Sequence, residues 1–189
     1  MYSYIKKTVI KLSIFSRKFS LSKKNNSSVF LGRKSKFQKN TTVSIGRKGT
    51  LLIGEKVKVR TGAILECYGR IEIKESSIIG PYNWLQGHGH IAIGKNTMIG
   101  PHCSIVSSNH KYTDPTKPIQ NQGLENGYVH IGDNVWIGSH VVILNNVTIG
   151  NNVIIGAHSL VNRDIPENCI AFGIPAIKVR SLRNDNNEK

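Results

Sequence analysis

The sequence predicts an all-β parallel solenoid, on the strength of two regularities and one interruption. An aliphatic residue recurs every six positions from Ile131 through Ile137, Ile143, Ile149 and Ile155 to Val161, and earlier at Ile93, Ile99 and Ile105. Four positions later comes a small or β-branched residue in most units: Thr97, Cys103, Val135, Val141, Val147, Val153 and Ser159. The run breaks between Ile105 and Ile131, where a gap of 26, not a multiple of six, carries no apolar periodicity. Neither the helical period of about 3.6 nor simple strand alternation yields a strict six.

Six residues suit one short strand and one corner. The aliphatic side chain fills the interior, and the small residue lets the next wall close in. Gly follows the aliphatic residue directly in six of the nine units, at Gly94, Gly100, Gly132, Gly138, Gly150 and Gly156. Gly or Asn is therefore expected to make the turn. Three walls make a triangular coil of eighteen residues. A single coil has no core, so coils must stack and bury one another's apolar faces. Weaker repeats at Ile45, Ile53, Val59, Leu65, Ile71 and Ile79 extend the pattern upstream. Their phase slips at 45–53 and 71–79, where short insertions or irregular corners are expected. The larger break requires residues of about 107–128 to leave the solenoid as an extruded loop, the usual seat of function on a regular scaffold.

Charge divides the chain. Residues 1–60 hold sixteen Lys/Arg and one acid, Glu55, whereas residues 61–189 hold ten of each sign. A basic segment of this kind is drawn to anionic lipid, polyanionic glycan or nucleic acid. In residues 1–24, seven cations interrupt the apolar residues, which excludes a spanning helix and a secretory h-region. Tyr2, Ile5, Val9, Leu12, Phe15 and Phe19 share one face at helical spacing. The segment is expected to be a basic amphipathic helix that either lies on a membrane or caps the domain. The resulting organisation is an arm or cap over 1–24, a solenoid over 25–166 and a tail over 167–189. Three widely spaced cysteines, Cys67, Cys103 and Cys169, form neither a metal motif nor a disulfide framework and point to a reducing compartment.

Three segments carry a family resemblance: IGKNTMIGPHCSIVSSNH over 93–110, IGDNVWIGSHVVILNNVTIGNNVIIGAHSLV over 131–161 and DIPENCIAFGIPAIKVR over 164–180. Together they resemble the hexapeptide-repeat acyltransferases, above all the galactoside and maltose acetyltransferases and the O-acetyltransferases of capsule and exopolysaccharide synthesis. The resemblance implies a left-handed parallel β-helix, an exception to the right-handed crossover rule. It also implies a homotrimer with active sites between subunits, acetyl-CoA as co-substrate, no metal, a sugar or glycan acceptor and a cytoplasmic enzyme. The basic arm adds the expectation of peripheral contact at the inner face of the plasma membrane.

Seven histidines need sorting. His102, His140 and His158 fall three after an aliphatic unit start, a corner position shared with Asn96, Asn134, Asn146 and Asn152, and are expected to form a structural ladder. His110 differs because it lies at the root of the extruded loop, in SSNHKYTDP. An imidazole on such a loop suits a general base, the role that the resemblance implies for it. The resemblance further implies Asn83, in PYNWLQG, beside the acceptor, and Trp136 beside a neighbouring subunit's histidine. It implies Ser139 and Ala157 in the pantetheine groove, with Asn162, Arg163 and Arg180 near the nucleotide phosphates. Cys103 occupies the small inward position and is expected in the core. The expected reaction is direct attack of a sugar hydroxyl on acetyl-CoA, assisted by His110, with no acyl-enzyme.

Other classes fit less well. A γ-class carbonic anhydrase needs histidines five apart, but successive histidines here are 2, 12, 8, 20, 10 and 18 apart. An amino-sugar N-acetyltransferase of the same fold and a non-catalytic scaffold are the remaining alternatives. No helix-turn-helix, zinc or RNA-binding signature accompanies the basic segment, so nucleic acid is not expected as a partner.

Overall fold

The structure, a computed structural model, describes residues 20–23 and 26–182. The expected amphipathic helix over 1–24 lies outside the described residues except at its end. There the expectation is corrected: Ser20–Lys23 is a strand (β1), paired in parallel with Thr42–Ile45. Among the described residues no helix is long and apolar enough to cross a membrane.

The fold is a left-handed parallel β-helix of about seven turns with three walls. Wall A stacks β1, β4 (Thr42–Ile45), β7 (Ile64–Cys67), β10 (Trp84–Gly87), β13 (Ser104–Val106), β18 (Val142–Ile143) and β21 (Leu160–Val161). Wall B stacks β2 (Ser28–Leu31), β5 (Thr50–Ile53), β8 (Arg70–Ile73), β11 (His90–Ile93), β16 (Tyr128–Ile131) and β19 (Val147–Ile149). Wall C stacks β3 (Lys36–Phe37), β6 (Lys58–Val59), β9 (Ile78–Ile79), β12 (Met98–Ile99), β17 (Trp136–Ile137), β20 (Val153–Ile155) and β22 (Cys169–Gly173). The tail then turns back as β23 (Ala176–Ser181), antiparallel to β22. A separate hairpin, β14 (Ser108–His110) with β15 (Leu124–Asn126), forms the base of the extruded loop.

Alternation along each strand drives this packing. In β8, for example, Ile71 and Ile73 point inward and are fully buried, whereas Arg70 and Glu72 face outward. The core is a continuous column of such residues, including Leu65, Ile79, Leu85, Ile93, Ile137 and Ile143, all with no exposed surface. Each buried side chain of this size contributes roughly 1.5–3 kcal/mol relative to exposure. Coil length is not constant. Register partners Ser20 and Thr42 are 22 residues apart, Ile64 and Trp84 are 20 apart, and Val142 and Leu160 are 18 apart.

The slip expected at 71–79 is therefore absent: Ile73 to Ile79 keeps the six, and the extra residues belong to longer strands whose two inward residues both enter the core. The other slip is real and falls at 46–49, on the edge between walls A and B. All variation in coil length gathers at this edge, including the loop, until the final coil.

Of the two residues expected to make the turn, Asn holds and Gly is corrected. At the other two edges the left-handed conformation belongs to Asn96, Asn134 and Asn152 (φ 54°) and to Tyr82, His102, His140 and His158 (φ 55–59°), not to the repeat glycines. Asn tolerates this region through local polar contacts. The corner side chains also stack: His140 on His158 at 4.7 Å, His102 on His140 at 5.0 Å, and Tyr82 on His102 at 5.2 Å. Asn134 donates to Asn152, and Asn152 to Asn168, both at 2.9 Å. The repeat glycines instead allow close stacking. A Cβ at Gly138 would lie 2.6 Å from the Ala157 nitrogen on the next coil.

Candidate active site

The extruded loop leaves wall A at Ser107 and returns at Gly127, and hydrogen bonds lock its neck. The Gly127 N–H donates to the Ser107 carbonyl at 2.9 Å. The buried Ser107 hydroxyl donates to the Gln86 carbonyl and accepts from the Gly89 N–H, both at 3.1 Å. Farther out, Lys111 N–H donates to Gly123 O at 3.0 Å, and the tip is bound to itself. The Gln122 amide donates to the carbonyls of Asp114 and Lys117 at 2.9 Å, and Lys117 pairs with Asp114 at 2.8 Å. That pairing, with the Thr116 hydroxyl, holds the Asp114 carboxyl below its ordinary range.

His110 ends β14 on this loop, opposite Leu124, with its side chain exposed. Trp136 opens β17 on the outer face of wall C, in register between Met98 and Ile154, and is 53% exposed. The loop precedes Trp136 in the same coil, so the two lie at similar height along the axis but on different sides of the prism. Among the described residues they share no hydrogen bond or ring contact.

Ser139 and Ala157 occupy equivalent corner positions on successive coils, beside Trp136 and beyond it. The Ser139 carbonyl accepts from the His158 N–H at 2.9 Å. Asn162 and Arg163 are exposed just past the last strand of wall A, with Arg163 Nε 3.5 Å from Asn162 Oδ1. Arg180 is exposed on β23, opposite Ile170. Wall C and its edge thus gather Trp136, Ser139, Ala157 and Arg180, whereas Asn162 and Arg163 stand apart at the end of wall A.

Asn83 is the exception among the expected site residues. It has no exposed surface, and its Oδ1 accepts the Cys103 N–H at 2.6 Å. It fills an inward slot equivalent to Ala63 and Cys103, so it cannot touch an acceptor on the surface of this chain. Cys103 itself is buried, and its thiol donates to Gly138 O at 3.1 Å. Burial pushes that thiol up, which suits a core residue and not a nucleophile. Met98, directly below Trp136 and 49% exposed, escaped the sequence reading because the loop separates register partners that the six-residue period would otherwise align. Among the described residues no three His, Cys, Asp or Glu converge to hold a metal ion.

Residues 128–163 match the family described as bacterial transferase hexapeptide (six repeats). Over 150 residues the chain is 31% identical to a protein of Escherichia coli K12 whose name places it provisionally as a lipopolysaccharide biosynthesis O-acetyl transferase, covering 75% of this chain and 76% of that one. The chain belongs to the bacterial transferase hexapeptide family. Another member, the galactoside O-acetyltransferase of Lactococcus lactis, is 41% identical over 101 residues, 52% of this chain and 46% of that protein. This hexapeptide-family chain spans under half the length of several curated relatives that it matches. Among solved structures it resembles a variant of AntD, an N-acyltransferase from Bacillus cereus in complex with dTDP-4-amino-4,6-dideoxyglucose and coenzyme A. That likeness has a TM-score of 0.70 at 28% identity and covers 82% of this chain and 83% of that one. A hexapeptide-repeat-containing acetyltransferase from Vibrio cholerae follows, with a TM-score of 0.66 at 31% identity over 70% and 74% of the two chains.

Proposed function

We propose that the protein is an O-acetyltransferase that moves the acetyl group of acetyl-CoA to a hydroxyl of a sugar or polysaccharide precursor. The observation that carries this reading is one exposed imidazole, His110, on a loop locked at its neck and level with the exposed Trp136. A sugar hydroxyl is a weak nucleophile until its proton is removed in the transition state. His110 accepts that proton as the sugar oxygen bonds to the thioester carbonyl carbon. Backbone N–H groups stabilise the tetrahedral oxyanion. Collapse of that species breaks the C–S bond, and the imidazolium returns the proton to the departing thiolate. Trp136, Ser139 and Ala157 line the pantetheine path, and Arg163 and Arg180, with Asn162, meet the phosphates.

Because His110 and Trp136 face different sides at one height, copies with parallel axes can bring one chain's loop to another chain's wall C. We infer a homotrimer with three such clefts. We infer a cytoplasmic enzyme, where acetyl-CoA is available, whose basic first segment meets the inner face of the plasma membrane. The likeness to AntD favours a second reading, transfer to the amine of an amino sugar within the same cleft.

Replacing His110 by Ala is expected to lower turnover by roughly 10²–10⁴, the usual contribution of a positioned acid–base group. Acetyl-CoA affinity should change little, since the pantetheine path is assigned to Trp136, Ser139 and Ala157 and not to His110. Wild-type turnover in this variant would remove His110 from the chemistry. Mild alkali separates the two acceptor readings: it releases acetate from an O-acetyl ester and leaves an N-acetyl amide intact.

A further inference from the structure

One surface feature takes no part in the chemistry above. At the edge between walls B and C, in the early coils, a recess is lined by Lys34, Ser35, Lys36, Lys56, Lys58 and Ser76. Its cations are stacked in two pairs. Lys36 and Lys58 are register partners on β3 and β6, and Lys34 and Lys56 occupy equivalent left-handed corners with φ of 60° and 57°. Like charges directly opposite one another on adjacent strands are destabilising. None of the four has an ion pair among the described residues; Glu55, the nearest acid in sequence, is taken by Arg33 at 3.0 Å. The arrangement therefore costs stability in the free protein and is offset when an anion enters.

The recess is also aligned with the proposed reaction centre. The outward column of wall C runs Lys36, Lys58, Ile78, Met98, Trp136 in strict register. Lys58 and Trp136 are three strands apart, about 14 Å, or roughly two to three sugar rings. The residues assigned to acetyl-CoA, Ser139, Ala157 and Arg180, lie on Trp136's own coil or beyond it, toward the C-terminus. The donor occupies that side, so the acceptor is left the side that leads to the lysines.

We propose that this recess is an anion subsite for the acceptor, which takes a phosphoryl group at the reducing end of a short glycan whose distal sugar is acetylated beside Trp136. The proposal rests on the acetyl-transfer reading. Lysine ammonium groups suit phosphate as point charges, the serine hydroxyls add donors, and four cations at one recess match a diphosphate better than a single phosphate. Ile78 and Met98 provide the apolar floor over which the intervening sugars lie.

The test has two arms. In the first, inorganic pyrophosphate binding to the full chain is measured by calorimetry, for the wild type and for the combined variant Lys34→Gln, Lys36→Gln, Lys56→Gln, Lys58→Gln. Binding that weakens about tenfold or more in this variant, and returns when the same positions carry Arg, supports the subsite. Absent binding, or equal binding in both proteins, overturns it. This arm reads the anion site without any turnover, so a chain that binds pyrophosphate there but acetylates no acceptor loses the proposed function and not the site.

In the second arm, kcat/KM is compared for a neutral trisaccharide and for the same trisaccharide bearing a terminal diphosphate, on a nucleoside and on a short lipid. The ratio of charged to neutral acceptor should be about ten or more in the wild type, shrink at high salt and approach one in the glutamine variant. The better of the two charged acceptors identifies the carrier. A wild-type ratio near one overturns the proposal. So does binding to plain anionic vesicles that is lost in the glutamine variant while pyrophosphate fails to bind, since the lysines would then form a membrane-docking face.

Discussion

Cys67 sits on the inner side of wall A with no exposed surface. Burial pushes its thiol up to about 11 from 9.0, against the smaller opposing effects of hydrogen bonds at Ile71 and Thr50. Below pH 9.0 folded and unfolded chains both keep the proton; between 9.0 and about 11 only the unfolded chain releases it. Stability associated with this thiol is thus full below that window and falls as pH rises through it, by about 2–3 kcal/mol when complete. The urea midpoint should fall more steeply over this range in the wild type than in Cys67→Ala. Parallel curves would mean that the thiol ionises alike in both states. At this scale the sequence was readable through the pattern, both where a residue breaks it and where one keeps it. His110 stands out because its loop breaks the period, and Cys103 because it obeys the period. Asn83 lies four after Ile79, as Cys103 lies four after Ile99, so the period marks its slot as inward; the acceptor role came from the resemblance and ran against that spacing.

A repeat unit that stacks on a copy of itself leaves little space at the glycine that follows each aliphatic residue. At Gly138 an added Cβ would lie 2.6 Å from Ala157 N and 2.9 Å from its Cα, both backbone atoms that cannot swing aside. Gly138→Ala should cost about 1–3 kcal/mol through forced separation of the coils. A fall in Tm with faster amide exchange in β17 and β20 is the expected readout. An unchanged Tm would show that the coils yield at no cost. Gly123 is the contrast, because nothing lies within 4 Å of its added Cβ and only its φ of +82° opposes a side chain. The six-residue period foretold the strands, the walls and the exit and return of the loop. It placed the corner at the Asn and His positions that take left-handed backbone, but left Gly beside Asn as a turn-former, since spacing alone cannot distinguish a position that needs left-handed backbone from one that needs an absent Cβ.

The whole molecule poses a question of completeness. A single chain places the loop histidine and the exposed tryptophan on different sides of a prism, so the site proposed for them would need a neighbour to complete it. Equilibrium sedimentation should give a species of three chains, and mixing His110→Ala with Trp136→Ala protein should restore activity in hybrid assemblies. A stable, active monomer would refute the divided site. Long-range organisation was only partly legible. Net charge marked the first third as distinct, yet nothing in composition alone could show that Lys36 and Lys58 pair in register or that their column leads to Trp136.

A parallel solenoid has no inherent reason to stop, because its last coil offers the next one the same bare edge that every earlier coil offered. In this chain that edge is closed on wall C by a strand that runs backwards, β23 on β22, with outward residues that are largely charged or solvent-facing. A copy arriving end-on finds the wrong polarity and no parallel ladder to extend, which is how open sheets are kept from growing into fibrils. The tail that carries Arg180 would on this argument also terminate self-templating. A chain ended at Gly173 should form elongated, dye-binding aggregates at concentrations where the full chain stays dispersed, as followed by light scattering and electron microscopy. If the shortened chain remains as dispersed as the full one, the reversed strand is not what limits growth.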